Sequence, residues 1–227
     1  MGAMNVVAVE TATSACAVGV ATTTGLELTR VMAGPRHHNE VLVATLADLL
    51  GQAKLRPQQI DLVVVDHGPG LFTGLRVGVA TGIAFAQGVG AELVELSSLE
   101  LLALGAWRAG ARGVFCAVVD ARRGELFAQR FLLDAECRPL DEPRVTRPEE
   151  LLALDELASA DGFGGDGLAR YDDVLAPLAG RVLRDLTGPP VLEALRVGPT
   201  RARVHTITPL YLRDADAVVN FATRERP

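Results

Sequence analysis

Apolar residues along this chain follow two rhythms, and their alternation predicts a succession of strands and helices. Residues 5–10, 15–21 and 26–32 are runs of strand length, separated by Thr11-Ala12-Thr13-Ser14 and by a turn over 22–25. A Gly34-Pro35 break follows. From 39 to 53, Val41, Leu42, Leu46, Leu49 and Leu50 recur at helical spacing. Residues 60–65 predict a fourth strand and 91–96 a fifth. Ser97, with Glu100 three positions on, opens a helix through Trp107 in the manner of a capping box. Between the fourth and fifth strands lies Gly68-Pro69-Gly70-Leu71-Phe72-Thr73-Gly74-Leu75-Arg76, a tight turn leading into a small-residue helix up to Gly88. Gly68 and Gly70 suit backbone angles that a Cβ forbids, and Pro69 stiffens the turn between them. Gly74, Gly78 and Gly82 share one helical face and admit close approach of another backbone. Free amides at such a helix start also suit an anion, with Thr73 and Arg76 assisting; the plainer alternative is packing alone.

The second half starts the same plan again. Residues 114–120 predict a strand, Ala121-Arg122-Arg123-Gly124 a turn, 125–133 the returning strand and 143–146 a short third strand. A helix over 148–157, a glycine loop over 162–167 and a helical pattern over 168–178 follow. Glu10 and Asp120 occupy corresponding places, each closing a first strand before a hairpin turn, and the two glycine loops correspond as well. The expected fold is therefore α/β: two tandem ribonuclease-H-like lobes of βββαβαβα pattern, as in actin-like ATPases, the second degraded. Lobe boundaries are expected at 4–104 and 105–227. After Thr187 the prolines Pro189, Pro190 and Pro199 break the pattern, and the last helical turns are free to return to either lobe.

Composition narrows the function classes. The chain is 227 residues long and 49% apolar, yet no uninterrupted apolar run is long enough to cross a bilayer. Met1-Gly2-Ala3-Met4 reads as a vector remnant before a second initiator methionine. Cys16, Cys116 and Cys137 are an odd number at wide spacing, which fits reduced residues of a cytosolic protein and no membrane association. A net charge of −6 argues against this chain gripping nucleic acid by itself. Arg196, Arg201, Arg203 and His205 form the one late basic cluster singled out, with a solvated face as its plain reading.

Five ordered segments resemble the bacterial TsaB (YeaZ) family. Gly68-Pro69-Gly70-Leu71-Phe72-Thr73-Gly74-Leu75-Arg76-Val77-Gly78 resembles its GPGSFTGLRIG signature. Glu10-Thr11-Ala12-Thr13-Ser14 resembles its first turn, and Arg36-His37-His38-Asn39-Glu40-Val41-Leu42 its RxHSExLL segment. Asp120-Ala121-Arg122-Arg123-Gly124-Glu125-Leu126-Phe127 resembles its DARxGEVY segment, and Pro209-Leu210-Tyr211-Leu212-Arg213 its PxYLR ending. Glu10 stands where the family usually has Asp, and Leu71 where it has Ser. The resemblance implies a catalytically silent member of the actin-like fold that pairs with its paralogue TsaD, with TsaE as the ATPase of the larger complex. That complex transfers threonylcarbamoyl from threonylcarbamoyl-AMP to N6 of adenosine 37 of tRNAs reading codons that begin with A, so tRNA is met only through the complex. In the family the first two helices build the pairing surface for TsaD, and the same surface pairs two copies in isolation. Carried onto this chain, the surface comprises His38, Val41, Leu42, Thr45 and Leu46, together with Phe72, Thr73, Leu75, Arg76, Gly78, Val79, Gly82 and Phe85.

The residues themselves argue against independent chemistry. His38 is the metal candidate of the first helix, and its partner one turn on is Leu42, where the metal-binding paralogue resembles HxxxH. His67 and His205 stand alone in sequence, and neither a metal nor a cofactor is expected. The enzyme alternative is a small-molecule kinase or ATPase using Glu10 and Asp120 as metal-nucleotide acids, with Thr11, Gly164 and Gly165 as degraded nucleotide-site positions. Against it, the first turn lacks glycine and the second carries the bulk of Arg122 and Arg123. Gly164 and Gly165 face either an adenine or, more plainly, solvent in a surface loop. A peptidase needs a nucleophile with a base in reach, and Cys16 lies instead among small apolar strand residues.

Overall fold

The structure, a computed structural model, describes residues 4–33 and 38–213. Five strands form the first sheet: β1 (Val6–Glu10), β2 (Ala15–Ala21), β3 (Glu27–Ala33), β4 (Leu62–Gly68) and β5 (Glu92–Ser97), in the order β3-β2-β1-β4-β5. β1 runs antiparallel to β2 and parallel to β4, with Val6 beside both Ala21 and Leu62. Its central place explains its sequence. Every residue from Val6 to Glu10 is buried, so the strand reads as one apolar run rather than an alternation. α1 (His38–Gln52) and α2 (Phe72–Val89) cover one face of this sheet. α3 (Ser98–Arg108) covers the other and is buried on both sides: Leu101 and Leu104 face the first sheet, Leu99, Leu102 and Ala106 the second.

The second sheet repeats this wiring. β6 (Gly113–Arg122) pairs antiparallel with β7 (Glu125–Leu133), which carries β8 (Cys137–Pro139) and β9 (Arg144–Thr146), while β10 (Gly162–Gly164) runs parallel to β6. Thus β6 and β7 match β1 and β2, and β10 takes the place of β4. The chain is an α/β protein of two tandem sheets on the actin-like plan. On the outer face of the second sheet lie only short helices, α4 (Pro148–Ala153), α5 (Asp155–Ala158), α6 (Asp166–Arg170) and α7 (Asp172–Leu175), around Leu151, Leu157, Phe163 and Leu175. α8 (Val191–Val197) packs against β1 and β2 of the first sheet through Val191, Ala194 and Leu195.

Several expected elements differ in detail. The helix over 148–157 is two helices, because Leu154 at ψ 101° leaves the helical region. The pattern over 168–178 is broken at Tyr171 (φ −123°, ψ 38°), and Pro177 then starts a 3₁₀ turn at Ala176–Arg181. The glycine loop over 162–167 contains a strand, β10, and a further short strand, β8, lies between the two expected at 125–133 and 143–146. Ser97 does cap α3, accepting from the Leu99 amide at 3.2 Å, but Glu100 turns away to pair with Arg201. Gly68 adopts φ +110° as expected of a turn glycine. Gly70 is there for a different reason: a Cβ on it would lie 2.2 Å from the Ala12 carbonyl oxygen.

Candidate functional site

Four acids from the two sheets lie near one another: Glu10 feels the charge of Asp66 and Asp166, and Asp166 that of Asp120. Glu10 ends β1 and bends back on its own turn, its Oε1 accepting from the amides of Ala12 at 2.7 Å and Thr13 at 3.3 Å. Asp66, near the end of β4, accepts at Oδ1 from Gly68 N at 2.8 Å and Ser98 Oγ at 2.7 Å, and its buried Oδ2 has no partner. Burial and the neighbouring Asp66 charge push the Glu10 carboxyl well above the usual range, and burial raises Asp66 to about 7. From the second sheet, Asp166 accepts from the Asp120 amide at 2.9 Å and is raised to about 6, chiefly by burial. Asp120 is itself engaged: Oδ1 accepts from the Arg122 amide at 2.8 Å, and Oδ2 meets the Arg122 guanidinium at 3.1 Å.

Glu10 and Asp120 are both buried, and Oε1 of Glu10 and both carboxylate oxygens of Asp120 are engaged within their own turns. Thr11 Oγ1 donates to the Gly74 carbonyl at 2.8 Å. The second glycine loop is not a surface loop. Gly164 packs against Leu186 and Phe115, and a Cβ on Gly165 would lie 2.0 Å from Val118 O. Gly165 also borders a cavity of about 290 Å³ lined by Leu168, Leu175, Val182 and Leu186. Among the described residues no three His, Cys, Asp or Glu side chains converge on a metal geometry. Leu42 is fully buried in the core, while the side chain of His38 lies outside the described residues, as do Arg36 and His37. Cys16 and Cys116 are buried, and burial pushes both thiols up to about 12, far from a thiolate nucleophile.

The start of α2 explains the glycine signature. At its start the Leu71 amide donates to Ala12 O at 2.7 Å and no side chain caps the helix, while Arg76 turns to Tyr211 and Phe72. Gly78 faces Thr11 and Gly82 faces Val65, where added Cβ atoms would lie 2.1 Å and 2.4 Å from Oγ1 and Cγ2. The glycine face therefore packs inward on its own sheet. Leu42, Thr45, Leu46, Leu75, Gly78, Val79 and Gly82 are all buried within the chain, so they support the outer surface from beneath and do not form it. Of the residues carried over to that surface, Thr73 and Arg76 are exposed, and Val41, Phe72 and Phe85 are half-buried. The outward ridge of the two helices also contains residues that the sequence reading missed. Val43 is 57% exposed, with Ala44 and Ala47 beside it on α1 and Ala80 and Ala84 on α2. Their signal was available, since they are the positions left once the core-facing ones are subtracted.

The late basic cluster is neutralised inside the chain. Arg196 pairs with Glu27 at 2.8 Å and with Glu193, Arg201 with Glu100, and Arg203 with Glu92 at 2.6 Å. Among the described residues no helix is long and apolar enough to cross a membrane.

Comparison with known proteins points one way. Residues 33–173 match the family described as TsaD, tRNA N6-adenosine threonylcarbamoyltransferase. The Escherichia coli tRNA threonylcarbamoyladenosine biosynthesis protein TsaB is 33% identical over 58% of this chain, and the match spans little more than half, 56%, of that protein's length. The Haemophilus influenzae protein of the same name is 26% identical over 93% of this chain and 94% of its own. The solved structure of YeaZ from Pseudomonas aeruginosa superposes with a TM-score of 0.76 at 25% identity, covering 92% of this chain and all of that one.

Proposed function

This chain belongs to the TsaB (YeaZ) family, and from that premise we propose that it is a non-catalytic subunit of the tRNA threonylcarbamoyladenosine machinery, working in the cytosol. It pairs with TsaD through the outward face of α1 and α2 and supports TsaD in a competent conformation, with TsaE as the ATPase of the larger complex. In isolation the same face pairs two copies of this chain.

The observation that carries this reading is the ridge formed by Val43, Ala44 and Ala47 on α1 with Ala80 and Ala84 on α2. Small side chains let a partner helix approach closely, and Val43, at 57% exposure, supplies apolar area left open among the described residues. The glycines behind the ridge give it a rigid backing by seating α2 directly on Thr11 and Val65. The four acids support the silent half of the reading, since each spends at least one oxygen on a backbone amide of this chain. Reconstitution tests the proposal. TsaD, TsaE, threonylcarbamoyl-AMP and unmodified tRNA should give the modified nucleoside only when this protein is added. Equal yield without it would refute the role. Clear heat with Mg-ATP for the isolated chain, abolished by Glu10→Ala, would favour the kinase or ATPase instead.

A further inference from the structure

We propose that residues 207–213 are a strap held shut across the two sheets by the start of α2, and that a partner seated on α2 opens it. Ile207 is buried in the core between the first sheet and its helices, which anchors one end. The strap then follows the end of β4: the Leu210 amide donates to His67 O at 2.8 Å, and His67 Nδ1 lies 3.3 Å from Thr208 O. Tyr211 stacks on Phe72 with ring centroids 4.9 Å apart, and its hydroxyl accepts from Arg76 Nε at 3.1 Å. The Arg76 guanidinium in turn covers the Phe72 ring at 3.9 Å. Leu212 packs on the cluster between α3 and the second sheet, and Arg213 reaches Glu125 Oε2 at 2.8 Å. Seven residues thus run from the core of one sheet to the first residue of β7. On the way the Leu210 carbonyl lies beside Gly68, 3.2 Å from where its Cβ would stand.

The two ends differ in strength. Ile207 is held by burial, whereas Tyr211 is 39% exposed and the Arg213–Glu125 pair about a third exposed, and such contacts hold a segment shut by only a few-fold. Phe72 and Arg76 also belong to the surface assigned above to TsaD, so this inference rests on that reading. One guanidinium cannot hold Tyr211 and a partner group in the same direction at once. Closing the strap therefore opposes pairing, and pairing opposes closure by the same factor.

Hydrogen exchange on the full chain, with and without TsaD, tests this. The Leu210 amide should exchange about tenfold faster in the complex while the α8 amides stay unchanged. Tyr211→Ala should tighten TsaD binding by roughly three- to tenfold. Glu125→Arg and Arg213→Glu should each loosen the strap, and the two together should restore its protection. Binding of TsaD with Leu210 unchanged or slower would overturn the strap and leave the pairing intact. Failure of TsaD to bind the wild-type chain would overturn both.

Discussion

Thr11 and Gly78 meet across the seam between the first turn and α2: the space a Gly78 Cβ needs is held by Thr11 Oγ1, 2.1 Å away. Thr11 cannot simply rotate out, because its hydroxyl donates to the Gly74 carbonyl one turn earlier on the same helix. Gly78→Ala must break that bond or lift α2 off β1. Overpacking of this kind costs about 1–3 kcal/mol, partly offset by the better helix propensity of alanine. A net loss of about 1 kcal/mol, roughly 2–4 °C in melting temperature, is expected. Gly88→Ala is the control: nothing lies within 4 Å of its Cβ, and it should stabilise by about 0.5–1 kcal/mol. Equal effects of the two substitutions on thermal unfolding would remove Thr11 from the explanation.

The outward ridge makes the opposite demand. Val43→Glu and Ala84→Arg change exposed positions, so stability should stay within about 0.5 kcal/mol. Pairing with TsaD, measured by titration calorimetry, should weaken at least about tenfold. A variant that pairs normally with glutamate at 43 would place the partner elsewhere on the chain.

The strands and helices of the first half were legible because each is either a short apolar run bounded by turn residues or a helical period. β2 was found to the residue, and β1 differs by one. The second half was harder, since α6 and α7 are shorter than the period needed to recognise them and their break comes from Tyr171, which bonds Gly124 and Asp120 far away in sequence. Glycine spacing revealed a close approach but not its direction. Gly78 and Gly82 face Thr11 and Val65 inside the chain, and only the fold could say so. Asp66 escaped notice because one acid after an apolar run looks like a strand ending. Its significance comes from Glu10, brought beside it by the parallel pairing of β1 and β4.

The thiols give a prediction about reactivity. Cys16 and Cys116 are fully buried, and burial raises both to about 12, so an alkylating reagent at pH 8 meets almost no thiolate. Cys137 is half-buried and raised similarly. Labelling of the native protein should be slow at all three sites, with Cys137 first, and complete only after denaturation. Rapid labelling of native Cys16 would reopen the peptidase reading.

Asp66 sets the pH dependence of stability. In the unfolded chain its carboxyl titrates near 3.9, as aspartate does in water. In the folded protein burial raises it to about 7, with Glu10 raised in the same direction and Asp166 to about 6. The folded state therefore holds these protons more tightly than the unfolded one. Their stabilising contribution is complete below about pH 4 and is lost as pH rises through about 7, when charge must be carried in a buried site. Asp66→Asn keeps an oxygen for the Gly68 amide and the Ser98 hydroxyl but has no proton to lose. Relative to wild type it should be close to neutral at pH 5 and more stable at pH 8, by roughly 1–3 kcal/mol. Urea unfolding of both proteins at the two pH values reads the difference directly. An Asn variant destabilised equally at both would mean that Oδ2 is needed as a group, and that its charge is not what the folded chain resists.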